Sequence, residues 1–291
     1  MTDLSRIIEA TAAKSTGGNR FHGKCPAHDD RVASLSFRQC DDGRLLVHCH
    51  AGCHFRDVFN ALGLQTGRKQ SASYDLLAKQ QRSRVKEQEV AYRDTAQRAS
   101  EAWKLATPAP ENHPYLQRKR IKAHGIGVLG GQYSCAPSRV KGRGNLLVIP
   151  VRTDNLHSVQ FIAEDGTKAF IRGSQRPGGF HAIGEDSTRI WLVEGFATGA
   201  SLHEETGEQV LVTFNTNGLK HVAASMEIGT RDFAVMADDD WCTEGNPGLS
   251  AAREVEQRYG IPYFLPEWGG LPRAESDTDF NDLVCLKARH G

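Results

Sequence analysis

The sequence lacks any apolar run near the length of about 20 residues that a membrane-spanning helix needs, and its start, MTDLSRIIEA, has no signal-peptide core. These absences predict a cytoplasmic protein without a membrane partner. A large net charge is missing as well, because 36 Lys and Arg residues stand against 35 Asp and Glu residues. The chain as a whole is therefore neither an obvious polyanion binder nor an acidic protein.

Charges of the two signs are nevertheless separated along the chain. Positions 113–145 hold seven Lys or Arg residues and no acid, whereas positions 267–282 hold five acids and one Arg. Such separation favours one surface for a polyanion and another for cations. Scattered charge on a solvated surface is the alternative.

Cysteine is scarce after the first 53 residues, which contain four of the seven. In a reducing compartment, clustered cysteines indicate a metal site before disulfides. Cys25 and His28 form one short pair, and Cys49 and Cys53 form a second pair after a gap of 20 residues. Two such pairs separated by a hairpin-length insert predict a tetrahedral structural zinc site without an open position for water.

Two alternatives to this ligand set remain open. The second pair departs from the regular C-x2-C spacing, so that a neighbouring side chain can replace one member: Cys40, His48, His50 or His54. Free cysteines in a small core are the alternative that involves no metal.

The composition of the chain predicts four segments and an α/β fold. Residues 1–65 are rich in Cys, His and Gly and predict a zinc-ribbon-like domain. Residues 66–107 are polar and nearly free of glycine, which predicts a helical linker. Residues 108–188 predict a mixed α+β basic subdomain. In residues 189–291 strands alternate with helices, which predicts a Rossmann-like parallel sheet with right-handed crossovers.

Two glycine-rich stretches imitate nucleotide-binding motifs. GNRFHGKC, at 18–25, follows AAKSTG, has Cys25 where a phosphate-binding loop carries a hydroxyl, and leads into a proline instead of a helix. GIGVLG, at 125–130, leads into GQYSCAPS without a helix, and we expect it to form a flexible turn. Their rejection argues against an ATP-driven helicase and against a nicotinamide-dependent enzyme.

Acidic residues collect where the predicted parallel strands end. RIWLVEG ends in Glu194, and FAVMADDD ends in Asp238, Asp239 and Asp240. Ligands of such sheets bind at the carboxyl ends of the strands. Carboxylates this close repel one another, and a bound Mg²⁺ or Mn²⁺ offsets that repulsion. For Asp239 we expect a helix N-cap instead. The late segment SDTDFNDL adds Asp277, Asp279 and Asp282.

The order of these motifs resembles a known family. A strand followed by Glu-Gly, a strand ending in Asp-x-Asp and a late acidic segment resemble the Toprim domain of primases, topoisomerases and nucleases. EGFATGAS is similar to the EGYATA motif of primases from satellite phages and conjugative plasmids. CPAHDDRVASLSF and HCHAGC resemble the Cys-His-Cys-Cys zinc domain of DnaG-type bacterial primases. HPYLQRKRI and DGTKAFIRGSQRPGGF resemble the basic subdomain that precedes Toprim in that group.

The resemblance implies roles for individual residues. Glu194 takes the place of the conserved metal-binding glutamate and possible acid/base, and Asp238 and Asp240 take the Asp-x-Asp positions. Asp279 and Asp282 match the late acidic positions and are expected as further ligands of the Mg²⁺ or Mn²⁺ ion. Thr198 departs from the pattern, because DnaG-type enzymes carry an acid there; this weakens the case for a second tightly held metal.

Basic residues complete the expected site. Lys168 and Arg172 match family positions, and a cluster near residue 120 precedes them. These side chains are expected to hold template phosphates and the triphosphate of a nucleotide: Arg118, Lys119, Arg120, Lys122, Lys168 and Arg172. A solvated basic face is the alternative for the first cluster.

The function implied is that of a DNA primase. Metal-dependent nucleotidyl transfer would make short RNA primers on single-stranded DNA, for phage, plasmid or mobile-element replication. The expected partners are template, nucleoside triphosphates and a replicative helicase supplied in trans. A Toprim-type nuclease and a non-catalytic single-strand-binding adaptor are the alternatives.

Overall fold

The computed structural model describes residues 3–40, 45–64, 68–173, 178–226 and 231–290. The chain divides into two compact units, Met1–Lys86 and Glu87–Gly291, and the division falls inside a long helix. Within the described residues, no helix combines the length and the apolar composition that crossing a membrane requires. The segment boundaries expected at 65/66, 107/108 and 188/189 stay predictions.

The first unit is built on an antiparallel sheet of four strands. Its elements are α1 (Asp3–Ala10), β1 (Lys14–Gly17), β2 (Arg20–Gly23), β3 (Leu35–Gln39), β4 (Leu45–Cys49), α2 (Phe55–Ala61) and the start of α3 (Arg68–Leu105). The strands lie in sequence order. Side chains alternate in β3 and β4, which bury Leu35, Phe37 and Val47 with Ile7 of α1 and Val58 of α2. This alternation places Cys49 on the buried face at the end of β4.

The second unit begins in α3 and contains two sheets of five strands. The elements of the first of these sheets are β5 (Thr107–Pro108), α4 (Pro114–Lys119), β6 (Gly127–Leu129), β7 (Leu146–Arg152), β8 (Leu156–Ala163) and β9 (Lys168–Phe170). These strands form an antiparallel sheet in sequence order. One face packs on Ala99 and Ala102 of α3, so that the apolar run of β7 is covered on both sides.

The second sheet is mostly parallel. Its elements are β10 (His181–Ile183), β11 (Arg189–Val193), α5 (Phe196–Thr206), β12 (Gln209–Val212), α6 (Thr216–Ser225), β13 (Asp232–Met236), α7 (Pro247–Tyr259), β14 (Tyr263–Phe264) and α8 (Phe280–His290). The order is β10-β12-β11-β13-β14, and every pair is parallel except β10 with β12. The α/β fold with a Rossmann-like sheet is confirmed, and the antiparallel edge strand β10 is an addition to it.

Small residues let α5 lie close to this sheet. A Cβ atom added to Gly199 would come within 2.9 Å of Val212 Cγ2 and 3.2 Å of Val193 Cγ2. A larger residue at this position would push the helix away from both strands. The small residues of ATGAS therefore allow α5, which begins shortly after Glu194, to pack closely on the parallel sheet. It lies on the face of that sheet that is turned toward the antiparallel sheet.

One expectation about a glycine-rich stretch is wrong. GIGVLG was expected to be a flexible turn, but its last residues include β6, which pairs with both β5 and β7. Gly125 alone among its three glycines has a positive φ, of 77°. The apolar Val128 and Leu129 favour a strand, since they pair with buried residues of β7.

Candidate metal centre and acidic strand edge

The four residues of the expected zinc set come together in the first unit. The ligand atoms of Cys25, His28, Cys49 and Cys53 all lie within 4.8 Å of one another. Nδ1 of His28 is 3.2 Å from the sulfur of Cys53 and 4.0 Å from that of Cys49. Bonds of about 2.0–2.3 Å to a central Zn²⁺ place tetrahedral ligands about 3.3–3.8 Å apart. The donor set and its spacing therefore fit a structural zinc ion.

The four possible substitutes lie outside this cluster. His48 and His50 flank Cys49 in sequence, and Oγ of Ser36 is 2.9 Å from Nε2 of His50. His54 caps α2 and accepts a hydrogen bond from the backbone N–H of Arg56. For His48, alternation along β4 explains this position, because the neighbour of a buried cysteine in a strand points to the opposite face.

Asp30 supports the Cys/His cluster from behind. Its Oδ2 accepts hydrogen bonds from the backbone N–H of Cys25 at 2.6 Å, from the N–H of Ser34 at 3.0 Å and from the hydroxyl of Ser34 at 2.7 Å. Its Oδ1 lies 3.7 Å from Nε2 of His28. The bond from Cys25 is the main reason why the pKa of Asp30 is lowered to about 2. At 3.7 Å the carboxylate makes no direct hydrogen bond with the imidazole, so Asp30 supports the cluster through the backbone of Cys25 and Ser34 and through its charge.

The acidic residues of the second unit lie at the carboxyl edge of the parallel strands. Glu194 directly follows β11, and Asp238 and Asp240 follow the neighbouring strand β13. Burial, and then the charge of Asp240, raise the pKa of Glu194 to about 7. Burial also raises the pKa of Asp238 well above its usual value, and so do the charges of Asp279, Glu194 and Asp240. The carboxylates thus form one electrostatically coupled group.

Two oxygen atoms of this group have no hydrogen-bond partner among the described residues. They are Oε1 of Glu194 and Oδ1 of Asp238, and both are buried. A buried carboxylate oxygen without a partner costs free energy unless something positive compensates it. Oxygen donors without protein partners, gathered at one strand edge, fit a hard divalent cation such as Mg²⁺ or Mn²⁺.

Asp240 and α7 fix the shape of the loop after β13. Oδ2 of Asp240 accepts a hydrogen bond from the backbone N–H of Gly248 at 3.0 Å, in the first turn of α7. A Cβ atom at Gly248 would lie 2.5 Å from the carbonyl oxygen of Asp238. Glycine at this position therefore allows the helix N-terminus to approach both aspartates.

Asp239 does not cap a helix, contrary to expectation. The N-cap of α7 is Asn246, whose side chain accepts from the backbone N–H of Leu249. Asp239 instead pairs with Arg273, whose Nη1 is 2.7 Å from Oδ2 and whose Nη2 donates to the carbonyl oxygen at 2.7 Å. The Arg273 guanidinium lies 5.0 Å from the ring of Trp241 and 4.4 Å from that of Trp268. This clamp holds the loop between Asp238 and Asp240.

Asp279 and Asp282 form a reciprocal cap at the start of α8. Oδ1 of Asp279 accepts from the N–H of Asp282 at 2.8 Å, and Oδ2 of Asp282 accepts from the N–H of Asp279 at 3.4 Å. The other oxygen of Asp282 pairs with Nζ of Lys119 at 2.8 Å. Both oxygens of Asp282 are thus occupied by protein groups, whereas Asp279 acts electrostatically on Asp238.

The expected basic residues fall into two groups. Lys168 is exposed by its accessible surface, yet the protein around its ammonium group lowers its pKa by desolvation, and the charge of Asp279 opposes that shift. Burial would also lower the pKa of Lys119, but Asp279 and Asp282 outweigh it and raise that pKa. The other four have exposed side chains, and no ion pair in the described part of the chain joins them to the acids: Arg118, Arg120, Lys122 and Arg172.

Three residues at these sites were missed from the sequence. Asp30 and Arg273 hold metal-site loops, and buried Asn281 donates to the carbonyl oxygen of Lys119 and to Oγ of Ser201. Asp30 follows directly on the first knuckle in KCPAHDD, which is a local signal for a supporting carboxylate. No local signal points to Arg273 or Asn281. Thr198 is buried in α5, and its hydroxyl has no partner among the described residues.

Parts of the chain are similar to known proteins. Residues 189–290, which contain Glu194, Asp238 and Asp240, match the family model described as the Toprim domain. The chain is 30% identical over 208 residues to DNA primase TraC of Escherichia coli, which covers 66% of this chain and 19% of the relative. A second DNA primase TraC of Escherichia coli is 30% identical over 207 residues, covering 65% and 14%. The expected resemblance to Toprim-domain primases is confirmed by this homology.

The match spans less than a fifth of the length of these relatives. Among solved structures, the zinc-binding and RNA polymerase domains of the Aquifex aeolicus primase align with 100% of this chain and 82% of that chain. The TM-score is 0.42 and the identity 12%, values too low to identify a shared fold.

Proposed function

We propose that this chain is a DNA primase that makes short RNA primers on single-stranded DNA by metal-dependent nucleotidyl transfer. The observation that carries the proposal is the coupled group of Glu194, Asp238 and Asp240 at the strand edge of a Toprim domain, with two buried carboxylate oxygens that lack protein partners. Homology to DNA primase TraC supports the same reaction.

These three acids hold a catalytic Mg²⁺ or Mn²⁺ in this proposal, and Asp279 supports them. Such an ion lowers the pKa of an attacking hydroxyl and neutralises charge on a triphosphate. The protein itself fixes the acids: Gly248 orients Asp240, and Arg273 restrains the loop between the two aspartates. Asp282 was expected to be a metal ligand, but its occupied oxygens favour a structural role in α8.

Zinc and the basic residues have separate tasks in the proposal. Cys25, His28, Cys49 and Cys53 hold a structural Zn²⁺ in a domain that engages template. Lys168 binds the triphosphate beside the acids, and the exposed Arg118, Arg120, Lys122 and Arg172 bind backbone phosphates. The chain works with single-stranded template, nucleoside triphosphates and a helicase supplied in trans.

Primer synthesis on single-stranded DNA of mixed sequence tests this function. Labelled nucleoside triphosphates and Mg²⁺ or Mn²⁺ are supplied to wild type, to Asp238→Ala/Asp240→Ala and to Glu185→Ala/Asp186→Ala. The last variant removes two exposed acids from the same compact unit, Glu87–Gly291, and is the matched control. Short products are expected from wild type and from the control, and none from Asp238→Ala/Asp240→Ala.

Two outcomes would contradict the proposal. No product from wild type, with zinc content and DNA binding intact, would favour a non-catalytic adaptor. Template degradation without added nucleotides, lost in Asp238→Ala/Asp240→Ala, would favour a nuclease that uses the same acids.

A further inference from the structure

Two aromatic rings face each other beside the acidic strand edge. Phe170 is the last residue of β9, and Phe214 follows β12, the strand on the other side of β11 from β13. Their ring centroids are 5.4 Å apart with an interplanar angle of 77°, an edge-to-face contact. Neither ring is fully buried. Phe214 packs partly against the core, and because β12 pairs with β11, whose end carries Glu194, the aromatic pair lies at the same edge of the sheet as the acids.

The backbone of Phe214 adopts a conformation that bulky residues rarely take. Its φ is 72°, in the left-handed region, where glycine and asparagine are far more common. The chain is fixed on both sides of it. Thr213 donates from its N–H and its hydroxyl to the carbonyl oxygen of Val193, the residue before Glu194, and Asn215 caps α6. A phenylalanine held in such a turn is a candidate for function, because a small residue would close the turn with less strain.

Lys168 connects the rings to the acids. It lies two residues before Phe170 in β9, so that both side chains leave the same face of the strand. Their Cα atoms are about 6.6 Å apart along the strand. Lys168 pairs with Ile162 of β8, and Ile162 belongs to the core between the two sheets. The face of β9 that carries Lys168 and Phe170 is therefore the one turned toward the parallel sheet. The carboxylates of Asp279 and Asp238 both act on the Lys168 ammonium group. Acids, a cation and aromatic rings thus follow one another along this edge.

We propose that Phe170 and Phe214 form a stacking platform for the base of a nucleoside triphosphate whose phosphates lie at Lys168 and the acidic edge. The inference rests on the proposed function and adds the base-binding part of the nucleotide site. The order of groups matches the ligand, since the base, the sugar and the charged triphosphate of a nucleotide also follow one another. Stacking on aromatic rings tolerates any base, as synthesis on mixed template requires.

Nucleotide binding measured without template distinguishes the contribution of the aromatic platform from that of the phosphate site. Fluorescence of 2-aminopurine riboside triphosphate is titrated with the full chain in Mg²⁺, and inorganic tripolyphosphate is the competitor. The variants are Phe214→Asn, Phe170→Leu, Phe214→Tyr and Lys168→Met. Asparagine tolerates the left-handed backbone of residue 214 and removes only the ring, and leucine keeps apolar volume at residue 170.

The platform predicts a selective loss. Phe214→Asn and Phe170→Leu should raise the Kd of the nucleotide about 5- to 100-fold and leave competition by tripolyphosphate unchanged. Phe214→Tyr should bind like wild type, and Lys168→Met should weaken both ligands. Nucleotide binding unchanged in both ring variants, or an equal loss for nucleotide and tripolyphosphate, would overturn the platform alone. Wild type that binds neither ligand would overturn the proposed function with it.

Discussion

Asp30 is a single buried side chain that holds the loop of the Cys/His cluster in place. Its carboxylate accepts hydrogen bonds from two backbone N–H groups and one hydroxyl. It also lies 3.7 Å from the imidazole of His28. The neighbouring Asp29 has the same chemistry, but its side chain is 90% exposed, against 5% for Asp30. The pair therefore offers a matched comparison within two residues.

Asp30→Asn is expected to weaken zinc binding about 10- to 100-fold, because the amide supplies one acceptor oxygen and no negative charge behind His28. Asp29→Asn should retain zinc as wild type does. Zinc release to a chromophoric chelator, followed as the chelator concentration rises, measures both. Equal zinc retention in the two variants would show that Asp30 does not support the site.

Arg273 is a second single residue that holds a loop of a candidate site, here the loop after β13. Its planar guanidinium donates to Asp239 twice and to the carbonyl oxygen of Asp277 while it lies between two indole rings. Lysine keeps the charge but lacks the planar fork and stacks less well. Only 16% of the Arg273 side chain and 18% of the Asp239 side chain are exposed, so the lost bonds are not replaced freely by water.

Arg273→Lys should lower the free energy of unfolding by about 1–2 kcal/mol. Arg143→Lys, which changes an exposed ion pair with Asp165, should change it by less than about 0.5 kcal/mol. Urea unfolding followed by tryptophan fluorescence measures both, since all four Trp residues lie in the unit Glu87–Gly291. A loss for Arg273→Lys no larger than that for Arg143→Lys would contradict the clamp.

At the scale of elements, β10 joins the two sheets of the second unit. It pairs with β12, and Phe180 just before it pairs with Arg152 at the end of β7. His181 is buried at this junction, and its Nε2 has no partner among the described residues. Burial, and then the charge of Arg152, lower the pKa of His181 to about 4.

This burial predicts acid sensitivity of the junction. A histidine whose pKa is lowered in the folded state contributes full stability above its usual pKa of 6.5, and that stability is lost as pH falls toward 4. Between pH 7.5 and pH 5, wild type should lose about 2 kcal/mol more unfolding free energy than His181→Asn. Tryptophan-detected urea unfolding at the two pH values measures the difference. Parallel losses in both proteins would exclude His181 as the cause.

At the scale of the whole molecule, local patterns in the sequence predict much of the fold. Alternating strands and helices after residue 189 predict a parallel sheet, and that sheet brings Glu194 and Asp238 to one edge. The spacing of Cys25, His28, Cys49 and Cys53 likewise predicts the cluster that the structure shows. Both predictions depend on periodicity or on short spacings, which a sequence displays directly.

Contacts between distant positions could not be predicted in this way. Lys119 and Asp282 pair across 163 residues, and Arg273 reaches Asp239 across 34, so that no short pattern relates them. The role of Asp282 is an exception. Asp279 and Asp282 are three residues apart at the start of α8, which is the spacing of a reciprocal helix cap. The same two acids also suit metal ligands, so that the sequence alone does not decide between the two roles.

The central claim is that the acidic strand edge holds a divalent cation. Electron paramagnetic resonance of free Mn²⁺, titrated with zinc-loaded protein, counts bound ions directly and needs no template or nucleotide. Wild type and Glu185→Ala/Asp186→Ala should each bind Mn²⁺, and Asp238→Ala/Asp240→Ala should lose that binding while its zinc content stays the same. Equal Mn²⁺ binding by all three proteins, or none by wild type, would contradict the account.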